Sequence, residues 1–254
     1  MSIEIADFFS PLKLKSPPSN SDYNMAISYI QVVEAFAQTT HQCVYIIDYY
    51  KQSFLYVSEN PLFLCGQSAK SVKKSGYNFY ADNVPPNELA MLLEINEAGF
   101  SFYNSIPIHD RLNYTIFYDF HLIQPNKRLI LINHKLTPLM LDNEYNIWLA
   151  LCVVTHSSNN TPGNITIVKK GENKRFNYDL SCKQWVMHKK INLTPQQKNI
   201  LALSAQGFTM DEIAQKMALV VDTIKFHKKN IFKKLQVKNM VEAISCATIY
   251  NLFE

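Results

Sequence analysis

The length and composition of the chain are those of a globular protein with room for two modest domains. It has 254 residues, of which 47% are hydrophobic and 18% are charged, and this balance excludes disordered and fibrous classes. The formal net charge is only +4, so overall charge does not by itself indicate a polyanionic partner. The longest strongly apolar run, 148–154, is much shorter than a membrane span, and residues 1–15 do not resemble a secretory leader. We therefore expect a soluble, cytoplasmic protein that does not enter a membrane.

The cysteines and histidines form no recognisable disulfide or metal pattern. The five cysteines are odd in number and have no two-residue spacing, so we expect buried thiols in a reducing compartment. His109, His121 and His134 lack the spacing of haem or metal ligands. No nucleophile paired with a base, no carboxylate pair and no phosphate loop stands out. The sequence predicts a protein that is not an enzyme, with no metal site and no identifiable cofactor.

The first predicted element is an amphipathic helix over 21–39, after a loosely ordered N-terminus over 1–20. The breaker cluster Ser-Pro-Pro-Ser-Asn at 16–20 closes the loose segment. Apolar residues then recur at helical spacing: Ala26, Tyr29, Ile30, Val33, Phe36 and Ala37. Such a stripe has to be covered, and its period fits both packing on the chain's own domain and contact with a second copy.

The next segment changes to the pattern of β-strands. Short β-rich runs at 43–48 and 53–57 predict a hairpin, and the mixed segment 61–102 contains a helix near 87–97. Three longer runs rich in β-branched and aromatic residues suit sequential antiparallel strands; they lie at 114–123, 128–136 and 146–155. The many aromatic side chains fit either an ordinary core or the lining of a ligand pocket.

Three short motifs in this segment are similar to the start of many PAS domains: Tyr-Ile-Ile-Asp at 45–48, Phe-Leu-Tyr-Val-Ser at 54–58 and Leu-Cys-Gly at 64–66. Two strands, a helical middle and three further strands make residues 40–156 resemble the PAS fold as a whole. The resemblance implies a small sensor domain in which helices cover a five-stranded antiparallel sheet. The sequence does not indicate its small-molecule effector or signal.

Residues 157–190 are predicted to be a linker that contains a hairpin. Residues 157–163, Ser-Ser-Asn-Asn-Thr-Pro-Gly, have the composition of a linker. The runs 165–168 and 175–178 flank the turn-like residues 170–173, which is typical of a hairpin. This segment would separate the sensor domain from a carboxyl-terminal domain at 191–254.

Two capping boxes mark helix starts in the carboxyl-terminal domain. Thr194 with Gln197, and Thr209 with Glu212, have the spacing at which a hydroxyl and a carboxylate or amide cap each other's backbone. They predict two helices whose starts are fifteen residues apart. A fourth helix is predicted at 239–253, with apolar positions that are a candidate for pairing with a second copy.

The third helix of this domain, predicted at 221–235, has one apolar and one cationic face. Ile224, Ile231 and Leu235 fall on one face. Between 222 and 238 there are six lysines and a single acid, Asp222, so the stretch has a charge of +5. A helix that docks by an apolar seam and presents lysines outward is suited to the major groove of DNA. A merely solvated charged face is the alternative interpretation.

Five motifs make this domain look like the DNA-binding domain of LuxR-type regulators. They are Leu193-Thr194-Pro195, Gly207, Glu212-Ile213-Ala214, Thr223-Ile224-Lys225-Phe226-His227 and Lys234-Leu235-Gln236-Val237. The resemblance implies an all-α, four-helix, helix-turn-helix domain that binds double-stranded DNA as a dimer. It implies base reading by Lys225, Phe226 and Lys229, and contacts at or near phosphates by Thr223, His227, Lys234 and Lys238. Lys228 and Lys233 complete the predicted DNA-binding set.

The segment also departs from the family pattern. Gln197 and Asn199 replace acids, Val220 stands where a capping serine is usual, and Ala218 and Gln236 stand where glycine is usual. The missing cap should cost about 1 kcal/mol of local stability, partly offset by Asp222 in the first turn.

Two residues of the predicted set leave alternatives open. Phe226 either touches a thymine methyl group or packs inward, and His227 either contacts a phosphate or makes a structural hydrogen bond.

The sequence as a whole predicts an α+β protein that is a dimeric, sequence-specific transcription regulator with a PAS-like sensor. RNA polymerase is a candidate protein partner of such a regulator. The alternative is an interaction protein that recruits a partner through the PAS-like domain, with DNA binding secondary.

Overall fold

The structure, a computed structural model, describes residues 5–12, 17–172, 174–188, 191–250 and 252–253. The chain divides into two compact units. The first comprises Met1–Ile167 and Tyr178–Gln184, and the second comprises Val168–Asn177 and Trp185–Glu254.

The first unit combines helices with antiparallel strands, which confirms the predicted α+β class. Its helices are α1 (Asn20–Thr40), α2 (Pro61–Leu64), α3 (Ala69–Ser75), α4 (Asn78–Asn83) and α5 (Pro86–Ser105), with 3-10 helices at Ile5–Phe9 and Ile108–Asn113. Its strands are β1 (Cys43–Asp48), β2 (Ser53–Val57), β3 (Tyr114–Ile123), β4 (Leu129–Leu141) and β5 (Ile147–His156). β1 pairs with β2 and with β5, and β4 pairs with β3 and with β5, all antiparallel.

The predicted count of five strands is wrong. Among the described residues the sheet has eight strands in the order β2-β1-β5-β4-β3-β6-β7-β8, where β6 is Gly163–Lys169, β7 is Arg175–Asp179 and β8 is Gln184–His188. The three added strands come from the segment expected to be a linker with a hairpin. β6 lies beside β3, whose edge would otherwise present unpaired N–H and C=O groups. Pairing at the edge of a sheet joins residues that are far apart in sequence. The local pattern could therefore indicate a hairpin, but it could not indicate that the hairpin adds to this sheet.

β4 continues through residues expected to end it. The predicted run ended at residue 136, before Thr137 and Pro138, but the strand extends to Leu141. The register against β5 shifts between Pro138 and Met140, and such an irregularity accommodates a residue that has no N–H to donate.

Part of the N-terminal segment is ordered, whereas a loose start was expected over 1–20. Ile5–Phe9 form a 3-10 helix, and the Phe8 and Phe9 side chains are buried. Phe9 packs edge-on against Tyr77, with ring centroids 4.5 Å apart. Aromatic burial of this kind outweighs the loose-chain tendency of the nearby prolines. Residues 1–4 and 13–16 of this prediction lie outside the described residues.

Strand β1, which lies between β2 and β5, is covered on both faces, which explains why all six of its residues are buried. Val44 and Ile46 face α1, in a cluster with Ala26, Val33 and Trp148. Successive strand residues point to opposite faces, so Tyr45 faces the other way. There its ring stacks on Phe63 of α2 at 4.5 Å between centroids.

The second unit holds the carboxyl-terminal helices. They are α6 (Pro195–Ala205), α7 (Met210–Lys216), α8 (Val221–Leu235) and α9 (Met240–Ile249). Their buried side chains form a single cluster: Leu193, Ile200, Leu201, Ile213, Ala214, Ile224, Ile231, Leu235, Ala243, Ala247 and Leu252. No helix in the described part of the chain is long and apolar enough to span a bilayer.

Candidate nucleic-acid interface

Both predicted capping boxes are formed, and they fix where α6 and α7 begin. The Thr194 hydroxyl accepts from the Gln197 N–H at 3.3 Å, while Gln197 Oε1 accepts from the Thr194 N–H at 3.1 Å. At α7 the Glu212 carboxylate accepts from the Thr209 N–H at 2.7 Å. This backbone hydrogen bond lowers the pKa of Glu212 below its ordinary value, so the cap is charged at neutral pH.

Two left-handed residues frame α8, at the positions where the resemblance led us to expect glycine. Ala218, in the turn between α7 and α8, has φ 53°, and Gln236, after the end of α8, has φ 58°. Backbone in this region favours glycine because a Cβ is crowded there. The turn is held by a hydrogen bond from the Leu219 N–H to the Ala214 carbonyl at 2.9 Å, which sets the angle at which α8 leaves α7.

α8 is anchored by one face and open on the other. Ile224, Ile231 and Leu235 are its buried residues. Its N-cap, Val220, makes no side-chain hydrogen bond, and the Thr223 N–H bonds the Val220 carbonyl at 2.9 Å instead.

The open face carries most of the predicted DNA-binding residues. Phe226 is 62% exposed. Lys225, Lys229, Lys233, Lys234 and Lys238 are exposed, while Thr223, His227 and Lys228 are half-buried. Lys225 Nζ lies 2.9 Å from Asp222 Oδ1, and this hydrogen bond raises the pKa of the lysine. Solvent screens an exposed pair of this kind, so the lysine can exchange its partner at little cost.

Lys234 has a structural role that its sequence position did not indicate. Its Nζ donates to the Asn192 carbonyl at 2.8 Å and to Gln197 Oε1 at 2.9 Å. It therefore ties the end of α8 to the beginning of α6. An ammonium has three donors, so one N–H is left for a further acceptor.

A groove runs between the start of α6 and the open face of α8. Its lining includes Thr194, Gln196, Phe226, His227 and Lys233. The Phe226 and His227 rings meet edge-on at 5.7 Å, and His227 Nδ1 is buried with no hydrogen-bond partner among the described residues. The groove thus combines a cationic rim with an aromatic wall.

Arg175 of β7 is a further residue of this unit, and the sequence pattern did not predict its role. It is buried, its Nη2 donates to Gln236 Oε1 at 3.1 Å, and its guanidinium lies 5.2 Å from the ring centroid of Tyr250. It therefore holds the left-handed residue that ends α8. The only signal in the sequence that could have indicated this role is a cationic residue within a β-rich run. Such residues are also common on exposed strands.

The fold and the cationic helix define a helix-turn-helix domain of the kind found in bacterial regulators. Residues 191–247 match the family described as bacterial regulatory proteins, luxR family. The carboxyl-terminal segment of the chain is therefore a LuxR-family domain, as the sequence predicted.

Two curated relatives are similar over this segment. The nitrate/nitrite response regulator protein NarL of Escherichia coli strain K12 is 41% identical over 51 residues, which are 20% of this chain and 24% of NarL. The HTH-type transcriptional regulator AlkS of Alcanivorax borkumensis is 38% identical over 60 residues, which are 24% of this chain and 7% of AlkS. The chain thus spans less than a quarter of the length of these two relatives.

One solved structure is similar over a longer stretch, though remotely. It is the Vibrio cholerae VqmA dimer in the absence of target DNA, with 13% identity, 82% coverage of each chain and a TM-score of 0.33. A similarity this weak says nothing about function.

Proposed function

We propose that this protein is a dimeric, sequence-specific DNA-binding transcription regulator. The observation that carries the proposal is the open side of α8, where four exposed lysines and one exposed aromatic stand on a compact LuxR-family domain. Such a helix fits the major groove, and its charges attract phosphates.

Within the proposed interface, two groups of residues have different tasks. Lys225, Phe226 and Lys229 point away from the buried seam and read base edges. Thr223, His227, Lys228, Lys233, Lys234 and Lys238 contact or approach phosphates. Lys234 uses the one N–H that its bonds to Asn192 and Gln197 leave over. Phosphate contacts position the domain, and base contacts give the sequence preference.

The first unit is proposed to be a PAS-like sensor over about residues 40–156. The strands that its resemblance implied lie in the order β2-β1-β5-β4-β3 within the larger sheet, with α2 to α5 between β2 and β3. This arrangement supports a sensor that alters the relation between two DNA-reading domains of a dimer. We propose residues 191–254 as the reading domain.

Gel-shift binding to fragments of the source genome tests the proposal. Replacing both Lys225 and Lys229 by alanine should weaken specific binding about 100-fold, because base contacts and phosphate attraction are lost together. A matched control replaces Lys73 and Lys74 by alanine, since these are two exposed lysines of α3 in the first unit. The control changes net charge by the same amount and should bind like the wild type. Equal binding by all three proteins would contradict the proposal.

A further inference from the structure

Helix α1 has a second apolar stripe besides the one it buries. Ala26, Val33 and Ala37 are in the core, in contact with β1 and β5. The second stripe consists of Met25, Tyr29, Val32 and Phe36, which are 51%, 42%, 68% and 48% exposed. Three of these residues immediately precede the three core residues, so the stripe is rotated by about 100° around the helix.

The spacing of this stripe is that of a helix-pairing seam. Its residues are separated by steps of four, three and four, the alternation by which one helix keeps apolar contact with another. Single exposed apolar residues are normal on protein surfaces, whereas a continuous line of four large ones indicates an interaction surface. By contrast, Val241 is the single large apolar side chain that α9 exposes among its described residues.

The charge pattern around the stripe favours a second copy of this chain as its partner. The stripe itself holds no charged residue, and the positions beside it include Ser28 and Ala35, which are small enough to let two helices approach. The Asp22 carboxylate accepts a hydrogen bond from the Ser19 N–H at 2.7 Å, and this bond caps the start of α1. A twofold contact places the same surface against itself, and this surface brings no like charges together.

The area of the stripe also agrees with a paired helix. Four large side chains exposed to this extent offer on the order of 400 Å² per copy. Two copies with their flanking residues reach about 1,200 Å², the lower end of specific protein interfaces.

We infer that α1 pairs with α1 of a second copy through Met25, Tyr29, Val32 and Phe36. This inference rests on the dimeric regulator proposed above. It adds to that proposal the surface through which the two copies meet. The two reading domains of the dimer would then be joined through the first units of the two copies.

The test is the mass of the full-length protein in solution, measured by light scattering across a concentration series. The wild type should have twice the chain mass of 29.3 kDa. Val32→Lys should weaken the dimer about 100-fold or more, because it buries unpaired charge at the seam. Ile27→Lys is the matched control: Ile27 is 53% exposed on the same helix but lies outside the stripe, and this variant should remain a dimer.

A second variant keeps the test decisive if Val32→Lys does not fold by circular dichroism. Phe36→Lys changes the other end of the stripe and should also give monomers. A monomeric wild type, including one that dimerises only with a different protein, overturns the inference. So does a Val32→Lys or Phe36→Lys protein that dimerises like the wild type, or an Ile27→Lys protein that is equally impaired.

DNA binding, measured on the same proteins, separates this inference from the proposed function. A wild type that binds DNA specifically as a monomer overturns the pairing of α1 and leaves the DNA-binding function standing. A stable dimer that Val32→Lys disrupts but that binds no DNA supports the pairing and contradicts the function.

Discussion

Phe226 gives the proposed interface a contact that lysines cannot supply. It is exposed on α8, and the thymine methyl is the apolar group that a major groove offers to such a side chain. Phe226→Ala should therefore lower affinity for preferred sites by about 1 kcal/mol while leaving the salt dependence unchanged. Replacing the contacted thymine by deoxyuridine should weaken the wild type to the same degree and leave Phe226→Ala unaffected.

The control for this prediction is another exposed aromatic of the second unit. Phe253 is exposed but lies outside α8, so Phe253→Ala should retain the preference for thymine. If deoxyuridine is tolerated at every thymine of a selected site, Phe226 packs without reading a base.

His134 makes the stability of the first unit depend on pH. It is buried, its Nε2 lies 2.5 Å from the Tyr45 hydroxyl, and burial lowers its pKa to about 3 from 6.5. The folded protein therefore keeps this imidazole neutral, whereas the unfolded chain takes up a proton as pH falls below 6.5. The free energy of unfolding should decrease by about 2 kcal/mol between pH 7.5 and pH 5 on account of this residue, with no effect at higher pH.

Urea unfolding of His134→Gln at both pH values measures this contribution. Glutamine keeps an acceptor for the Tyr45 hydroxyl but does not titrate, so the variant should lose about 2 kcal/mol of the pH difference. Equal pH differences for wild type and variant would show that His134 is protonated in the folded protein or opens readily to solvent.

The start of α8 is the least stabilised part of this helix, since Val220 is 68% exposed and makes no capping hydrogen bond. Val220→Ser should raise the free energy of unfolding of the second unit by about 1 kcal/mol, because serine satisfies an N–H at the helix start. Urea denaturation checks this. Val241→Ser, also at an exposed valine, lies inside α9 and should give no gain. A destabilised Val220→Ser protein would show that the valine packs in a way its exposure conceals.

The helices of the second unit were predictable because their signals are local. The box of Thr194 with Gln197 and the 3.6-residue period of Ile224, Ile231 and Leu235 act within one helix, and α8 has the bounds that they predicted. β6 to β8 were not predictable as sheet members, because their pairing partners lie far away in sequence. Similarly, the Lys234 bond to Asn192 and the Arg175 bond to Gln236 span 42 and 61 residues, distances over which no periodicity extends.

A dimer with two reading helices should require a fixed phase between its half-sites. One α8 can enter the major groove on a given face of the duplex, and a second can enter on the same face about one helical turn away. Inserting about 5 base pairs between the half-sites turns one of them to the opposite face and should reduce affinity towards that of a single half-site. Inserting about 10 should restore more of it, because a full helical turn returns the second half-site to the same face of the duplex. Gel shifts with such spaced sites measure this, and Val32→Lys is the informative comparison: its binding should be weak and indifferent to spacing. A wild type equally indifferent to spacing would mean that each copy reads DNA alone.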